Sequence, residues 1–285
     1  MSPPARLRAV LAANEFVLAP GVFDMISAKL ADRLNFSALY MTGYGVVASH
    51  LGLPDAGIAS YSEMVGRVER ICALTRTPLI ADGDTGYGGL LNVHHTVRGY
   101  ESAGAAGIQL EDQEFPKKCG HTPGRRVIPT EDMVRKIAVA AEARRSDDFL
   151  IVARTDARSS LGLTEALHRA EEFQKAGADV LFIEAPESEA ELEQVGRSFD
   201  VPLLVNIVEG GKTPVLAPER LQALGFQIAI FPATGFLAAA AALDSAYRAL
   251  HSGSTERQVP LFKFEEMNRL MGFEEIWDFE RKHAR

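Results

Sequence analysis

The chain has 285 residues, 47% of them hydrophobic, and a formal net charge of -8, enough to bury the core of one large domain or two modest ones. Acidic and basic residues are interspersed, so no positive field invites nucleic acid or an anionic membrane. The longest apolar stretch, FLAAAAAL at 236–243, is far below the roughly 20 residues that span a bilayer, and the N-terminus lacks a signal-peptide core; a cytoplasmic enzyme is the expectation.

Short apolar, often β-branched runs recur along the chain: FVLAP (16–20), ALYMTG (38–43), PLIADGD (78–84), AGIQLED (106–112), FLIVARTD (149–156), DVLFIEA (179–185), VPLLVNI (201–207) and QIAIFP (227–232). Between most of them lie stretches of helical periodicity, as at 62–75, 130–145, 163–177 and 217–225. Near-continuous apolar strands alternating with amphipathic helices specify a parallel sheet covered by helices. Eight such units in a chain of this length predict an α/β fold, the (β/α)8 TIM barrel, which needs about 250 residues. The polar residues of these runs gather at their C-terminal ends: Thr42, Asp82, Asp84, Glu111, Asp112, Arg154, Asp156, Glu184 and Asn206. In a barrel those ends share one mouth, where barrel enzymes carry their chemistry. An open doubly wound sheet explains the alternation equally well but not this convergence.

Two motifs mislead. GYGVVA (43–48) matches a dinucleotide fingerprint, but HLGLPDAGIASY after it carries proline and glycines where a long phosphate-facing helix belongs. GGKT (210–213) resembles the end of a P-loop, yet Asn206 stands where the pattern demands glycine.

In ADGDTGYGG, Asp82 and Asp84 alternate on a strand end; Glu111 on the next strand and Asp55 in LGLPD complete an all-oxygen, strongly negative set. Hard cations select such donors, so the expectation is Mg2+ or Mn2+, with zinc disfavoured. An isolated D-x-D is as readily a turn whose side chains cap backbone amides; crowding at adjacent strand ends argues for a compensating cation. His94 and His95 receive no role, His50 is ambiguous, and Cys72 reads as a core residue on a helix face. The segment EDQEFPKKCGHTPGRR (111–126) concentrates lysines, a thiol, an imidazole and arginines among glycine and prolines. His121 there can hydrogen-bond an anion.

The runs YMTGYGVV, LGLPD, ADGDTGYGG, QLEDQ, PKKCGH, ARTDA, IEAP and NIVEGGKTP, in this order, resemble the isocitrate lyase and phosphoenolpyruvate mutase superfamily over nearly the whole catalytic domain. The resemblance implies a (β/α)8 barrel whose C-terminal helices swap between subunits of a homotetramer, a dimer of dimers. It implies a barrel over 1–245 with a gating loop near 113–128, and a helical extension over 246–285. Asp82, Asp84, Asp55 and Glu111 then hold Mg2+, mostly through water. Amides around Thr42, Gly43 and Tyr44 cradle the carboxylate of a 2-hydroxy or 2-oxo acid, Arg154 pairs with substrate oxygens, and Glu184, Asn206 and His121 line the far side.

Members with cysteine in this loop resemble carbon–carbon lyases, in which Cys119 protonates the departing enolate carbon; Lys117, Lys118 and His121 help lower the thiol pKa. Tyr40, Lys117 and Glu111 are alternative bases for the substrate hydroxyl. NIVEGGKTP looks most like the 2,3-dimethylmalate and 2-alkylmalate group, with 2-methylisocitrate next. Carboxyphosphonoenolpyruvate mutases and oxaloacetate hydrolases or decarboxylases are the alternatives inside the superfamily. A nicotinamide-dependent oxidoreductase using GYGVVA and a catalytically silent binding barrel are the alternatives outside it.

Overall fold

The computed structural model describes residues 1–120, 124–254 and 260–284. Eight strands, β1 (Val17–Val22), β2 (Leu39–Met41), β3 (Leu79–Asp82), β4 (Gly107–Glu111), β5 (Leu150–Thr155), β6 (Val180–Ile183), β7 (Leu203–Asn206) and β8 (Ile228–Phe231), pair in sequence order and close on themselves. Every pairing is parallel, including β8 with β1 through Val17–Ile228 to Pro20–Phe231. The barrel expected from the strand rhythm is therefore present. β3 to β7 are buried at every position, because helices cover the outside while side chains fill the inside.

The interior cluster runs from Val17, Ala19, Ile80, Val152 and Phe182 to Leu204 and Ile228. Its N-terminal end is closed by α1 (Pro3–Ala12), whose Leu7 and Leu11 join the cluster. Proline in the first helical turn and Ser2 accepting from the Ala5 amide start that helix. The outer helices bury one stripe each. In α4 (Tyr61–Leu74) a Ser60–Glu63 capping box sets the start, and Met64, Val68 and Ile71 face inward at helical spacing.

GYGVVA folds as the start of α3 (Gly43–Leu51), capped by the Thr42 hydroxyl and ended by Gly52 in the left-handed conformation. The helix is only nine residues long. The chain forms two compact units, Met1–Gly235 and Phe236–Arg285, and the sequence-based boundary at 245/246 lies within the helix Thr234–His251. In the second unit this helix, Phe264–Met271 and Phe273–His283 carry no buried residue among those described. Phe264, Ile276, Trp277 and Phe279 are exposed.

Candidate active site

The strand ends deliver the site. Asp82 closes β3, Glu111 closes β4, Asn206 closes β7, Arg154 lies one residue before the end of β5, and Glu184 follows β6. All are buried. The turn after β3 is tightly constructed: Asp82 Oδ1 accepts from the Asp84 amide at 3.0 Å, and Asp82 Oδ2 from the Gly43 amide at 3.3 Å. Asp84 takes a positive φ of 48°, a conformation Asp tolerates better than most residues. A Cβ at position 43 would sit 2.5 Å from Asp82 Oδ2, so glycine there is what lets α3 approach the carboxylate. Behind the turn, Tyr100 donates to the Asp82 carbonyl at 3.1 Å and pairs with the Tyr87 hydroxyl at 2.9 Å.

Residues 113–120 lie over this turn. The Lys117 ammonium stands 2.5 Å from Asp55 Oδ1 and 2.7 Å from Asp84 Oδ1. The Cys119 amide donates to the Asp55 carbonyl at 3.1 Å. Gln113 holds both ends of the segment, accepting from the Lys118 amide at 2.9 Å while its Nε2 donates to Glu111 Oε1 and the Lys118 carbonyl at 2.9 and 2.8 Å. The Gly120 backbone rests on the far wall, where a Cβ would fall 2.2 Å from Glu184 Oε1 and 2.4 Å from Arg154 Nη2. We expect Gly120→Ala to reduce turnover by about tenfold or more, since neither buried partner has room to withdraw. The melting temperature should fall less steeply than turnover, because the clash displaces the covering segment at the mouth and leaves the barrel interior packed. Steady-state kinetics and a thermal melt check this.

On that wall Arg154 directs Nε and Nη2 at Asp156, at 3.0 and 2.9 Å. Its Nη1 lies 3.4 Å from Glu111 Oε2 and its Nη2 3.8 Å from Glu184 Oε1. The guanidinium also covers the Phe182 ring, 5.1 Å from its centroid. Asn206 Nδ2 donates to both Glu184 oxygens at 3.3 Å. Ala185 is held at a φ of 59°, backbone strain beside Glu184 of the kind that accompanies functional positions.

Crowding shapes the charges. Burial, with help from neighbouring carboxylates, pushes Asp82 up, Asp84 up to about 6, and Glu111 well above the usual carboxylate range. Burial opposes the charge on Lys117, but Asp84, Asp55 and Glu111 outweigh it and hold the ammonium firmly protonated. Tyr40, read as a candidate base, is buried; burial and Asp82 raise its pKa well above 10, and its hydroxyl donates to Gln109 Oε1 at 2.6 Å. The phenol is a proton donor here. Lys117 is likewise a poor base, since it already carries its proton.

The structure thus brings Tyr40, Thr42, Gly43, Asp55, Asp82, Asp84, Glu111, Lys117, Cys119, Arg154, Glu184 and Asn206 to one mouth. Tyr44 is 42% exposed. His121 lies outside the described residues. Sequence reading gave no role to Gln109, whose Nε2 reaches Asp82 Oδ1 and Glu111 Oε2 at 3.3 and 3.4 Å, nor to Gln113, Arg125 or Asp156. Gln109 had a signal, an amide in an otherwise apolar strand; Tyr87 and Tyr100 had none.

The family model described as phosphoenolpyruvate phosphomutase matches residues 7–251. The chain belongs to this family. It is 46% identical to 2,3-dimethylmalate lyase of Eubacterium barkeri, over 100% of this chain and 99% of that one. It is 41% identical to 2-methylisocitrate lyase of Aeropyrum pernix, over 99% and 90%. Among solved structures, oxaloacetate acetylhydrolase with the inhibitor 3,3-difluorooxalacetate superposes with a TM-score of 0.93 at 35% identity, covering 99% of this chain and 98% of that one. Phosphonopyruvate hydrolase in complex with oxalate and Mg++ superposes at 0.89 with 31% identity, covering both chains completely. The barrel, the order of motifs and full-length relatives named as lyases agree. The nicotinamide reading of GYGVVA finds no support: the helix it starts is nine residues long, and its first amide, that of Gly43, donates to Asp82.

Proposed function

We propose that this family member is a Mg2+-dependent carbon–carbon lyase acting on a 2-hydroxy di- or tricarboxylate of the 2,3-dimethylmalate or 2-alkylmalate type. It releases a 2-oxo acid such as pyruvate together with a second carboxylate. A 2-methylisocitrate-type acid is the second reading, supported by the relative of that activity. The observation that carries the proposal is the thiol-bearing segment 117–120, seated on the carboxylates at one end and on Arg154 and Glu184 at the other. A panel of these acids assayed for Mg2+-dependent 2-oxo acid release tests it; no release from any of them refutes the lyase reading.

The donor set suits a hard divalent cation. Asp84 Oδ1 is buried and, though close to the Lys117 ammonium, accepts no aligned hydrogen bond. Asp82, Asp84 and Glu111 are each destabilised as anions by burial. No cluster of three or more His, Cys, Asp or Glu side chains converges as a direct cage among the described residues. Magnesium, which keeps most of its waters and takes one or two carboxylates, suits buried oxygen donors of this kind. Asp82 and Asp84, with Asp55 and Glu111 around them, would hold it, and when bound it supplies positive charge that stabilises the anion formed as the carbon–carbon bond breaks.

Around that charge the chain's own groups divide the work. Arg154 and Asn206 orient substrate oxygens, and Glu184 orders both of them. Lys117 steadies Asp55 and Asp84 and keeps Cys119 seated beside them. Cys119 delivers a proton to the departing carbon, and the covering segment excludes water from the reactive enolate. Of the three candidate bases, Tyr40 and Lys117 hold their protons, which leaves Glu111, a carboxyl whose charged form the neighbouring Arg154 favours.

The raised carboxyls couple the cation to pH. In the metal-free protein a folded-state pKa near 6 for Asp84 means that the fold gains stability at low pH and loses it as pH rises through 6. A divalent cation offsets that loss. We expect the rise in melting temperature produced by Mg2+ to be small at pH 5 and larger at pH 7, with calorimetric affinity following the same direction.

The exposed apolar residues of helices Phe264–Met271 and Phe273–His283, among them Phe264 and Phe279, support assembly by exchange of these helices between subunits. Light scattering is expected to read a homotetramer; a monomer overturns this.

A further inference from the structure

We propose that Asp156 is a positioning residue that selects which edge of Arg154 meets the substrate, and that Arg125 holds Asp156 in place for this task. The inference rests on the reading above only in taking Arg154 as the group that receives substrate oxygens.

A guanidinium offers a side edge, Nε with Nη2, and an end edge, Nη1 with Nη2. The Asp156 carboxylate occupies the side edge at 3.0 and 2.9 Å. Rotation of the planar group is thereby blocked. The end edge is left facing inward, with Nη1 3.4 Å from Glu111 Oε2 and Nη2 3.8 Å from Glu184 Oε1. Both separations exceed the usual hydrogen-bond range, so the inward hydrogens remain available to an oxygen entering between the two carboxylates. Arg154 therefore meets its ligand end-on.

Asp156 could not perform this alone. Its carboxylate is fully buried, as is its neighbour Asp112, and the Arg125 guanidinium donates to Asp156 Oδ1 at 2.6 Å and to the Ser159 hydroxyl at 2.5 Å. Thr155, between the clamp and its target, donates to Asp112 Oδ2 at 2.7 Å while the Asp156 amide donates to Asp112 Oδ1 at 2.9 Å. The backbone beneath Asp156 is thus fixed independently of its side chain. Removing the carboxylate charge releases the guanidinium without releasing the strand.

The test measures calorimetric binding of oxalate in the presence of Mg2+ to the intact chain, alongside a thermal melt. Asp156→Asn, which keeps the side-chain shape, is expected to weaken oxalate about thirtyfold, the scale on which one partner of a buried charge pair acts. In an Arg154→Lys background the same change is expected to matter by less than about twofold, because lysine has no side edge to clamp. Arg125→Met, which leaves the Asp156–Arg154 pair intact, is expected to weaken oxalate about fivefold, and Arg125→Lys to recover most of that. For any variant with 2-oxo acid release, the loss should appear in KM more than in kcat.

Equal effects of Asp156→Asn in the two backgrounds, or unchanged oxalate affinity in Arg125→Met and Asp156→Asn, overturn the proposal. So does failure of the unmodified protein to bind oxalate. The lyase reading fails on a different result, absence of 2-oxo acid release from every acid in the panel, which leaves the oxalate cycle readable.

Discussion

Replacing Asp82 and Asp84 together by alanine is expected to lower Mg2+ affinity by more than about a hundredfold and turnover by about a thousandfold or more. The expectation follows from how differently the two carboxylates are held. Asp82 is anchored by the Asp84 and Gly43 amides and by the Gln109 side chain, so its carboxyl is fixed in position. Asp84 has one oxygen that accepts no aligned hydrogen bond within the described protein and a pKa near 6, so its charge is stabilised only by a neighbouring cation. Removing both also leaves Lys117 with Asp55 as its close carboxylate partner. Because the missing carboxylates were destabilised by burial, the double variant should still fold, and its melting temperature should be insensitive to Mg2+. Calorimetric titration and paired melts with and without Mg2+ measure this; retained Mg2+ affinity would remove the basis of the proposed chemistry.

The second large effect falls on the thiol. Cys119→Ser is expected to lower kcat by about a hundred- to ten-thousandfold, the range for a proton donor acting on carbon, while oxalate binding in the presence of Mg2+ changes little. A serine hydroxyl fills the same space, but its proton is far less acidic than that of a thiol. The backbone that seats position 119, an amide bonded to the Asp55 carbonyl, is untouched by the change. Unaltered turnover would assign Cys119 to the structure of the segment and not to the reaction. Cys72 provides the contrast. Burial pushes its thiol up to about 12, so it is inert at neutral pH and will not report on the site.

Much of the barrel was legible because strand and helix periodicities differ, and because a sheet covered on both faces needs apolar residues at every position. β5 shows this in LIVART, buried throughout. The carboxylates and Arg154 were legible for the complementary reason: a polar residue at the end of such a run has to be at the mouth. The α3 helix was less so, since GYGVVA is glycine-rich and forms a helix only because Thr42 caps it and Asp82 takes the Gly43 amide.

What local sequence determined by itself was the number of parallel strands, their order, and the kinds of charge delivered to their ends. These depend on periodicity and composition, which short stretches carry intact. Only the closed tertiary structure decided which of those charges touch. Lys117 lies 62 residues from Asp55 in sequence, yet their side chains meet; Asp156 accepts from one edge of Arg154; Tyr40 donates a hydrogen bond to Gln109. The Lys117 and Tyr40 pairings join different strands and loops, while Arg154 and Asp156 are two residues apart at the end of β5; all three depend on distance and orientation, and electrostatic interaction changes steeply with both.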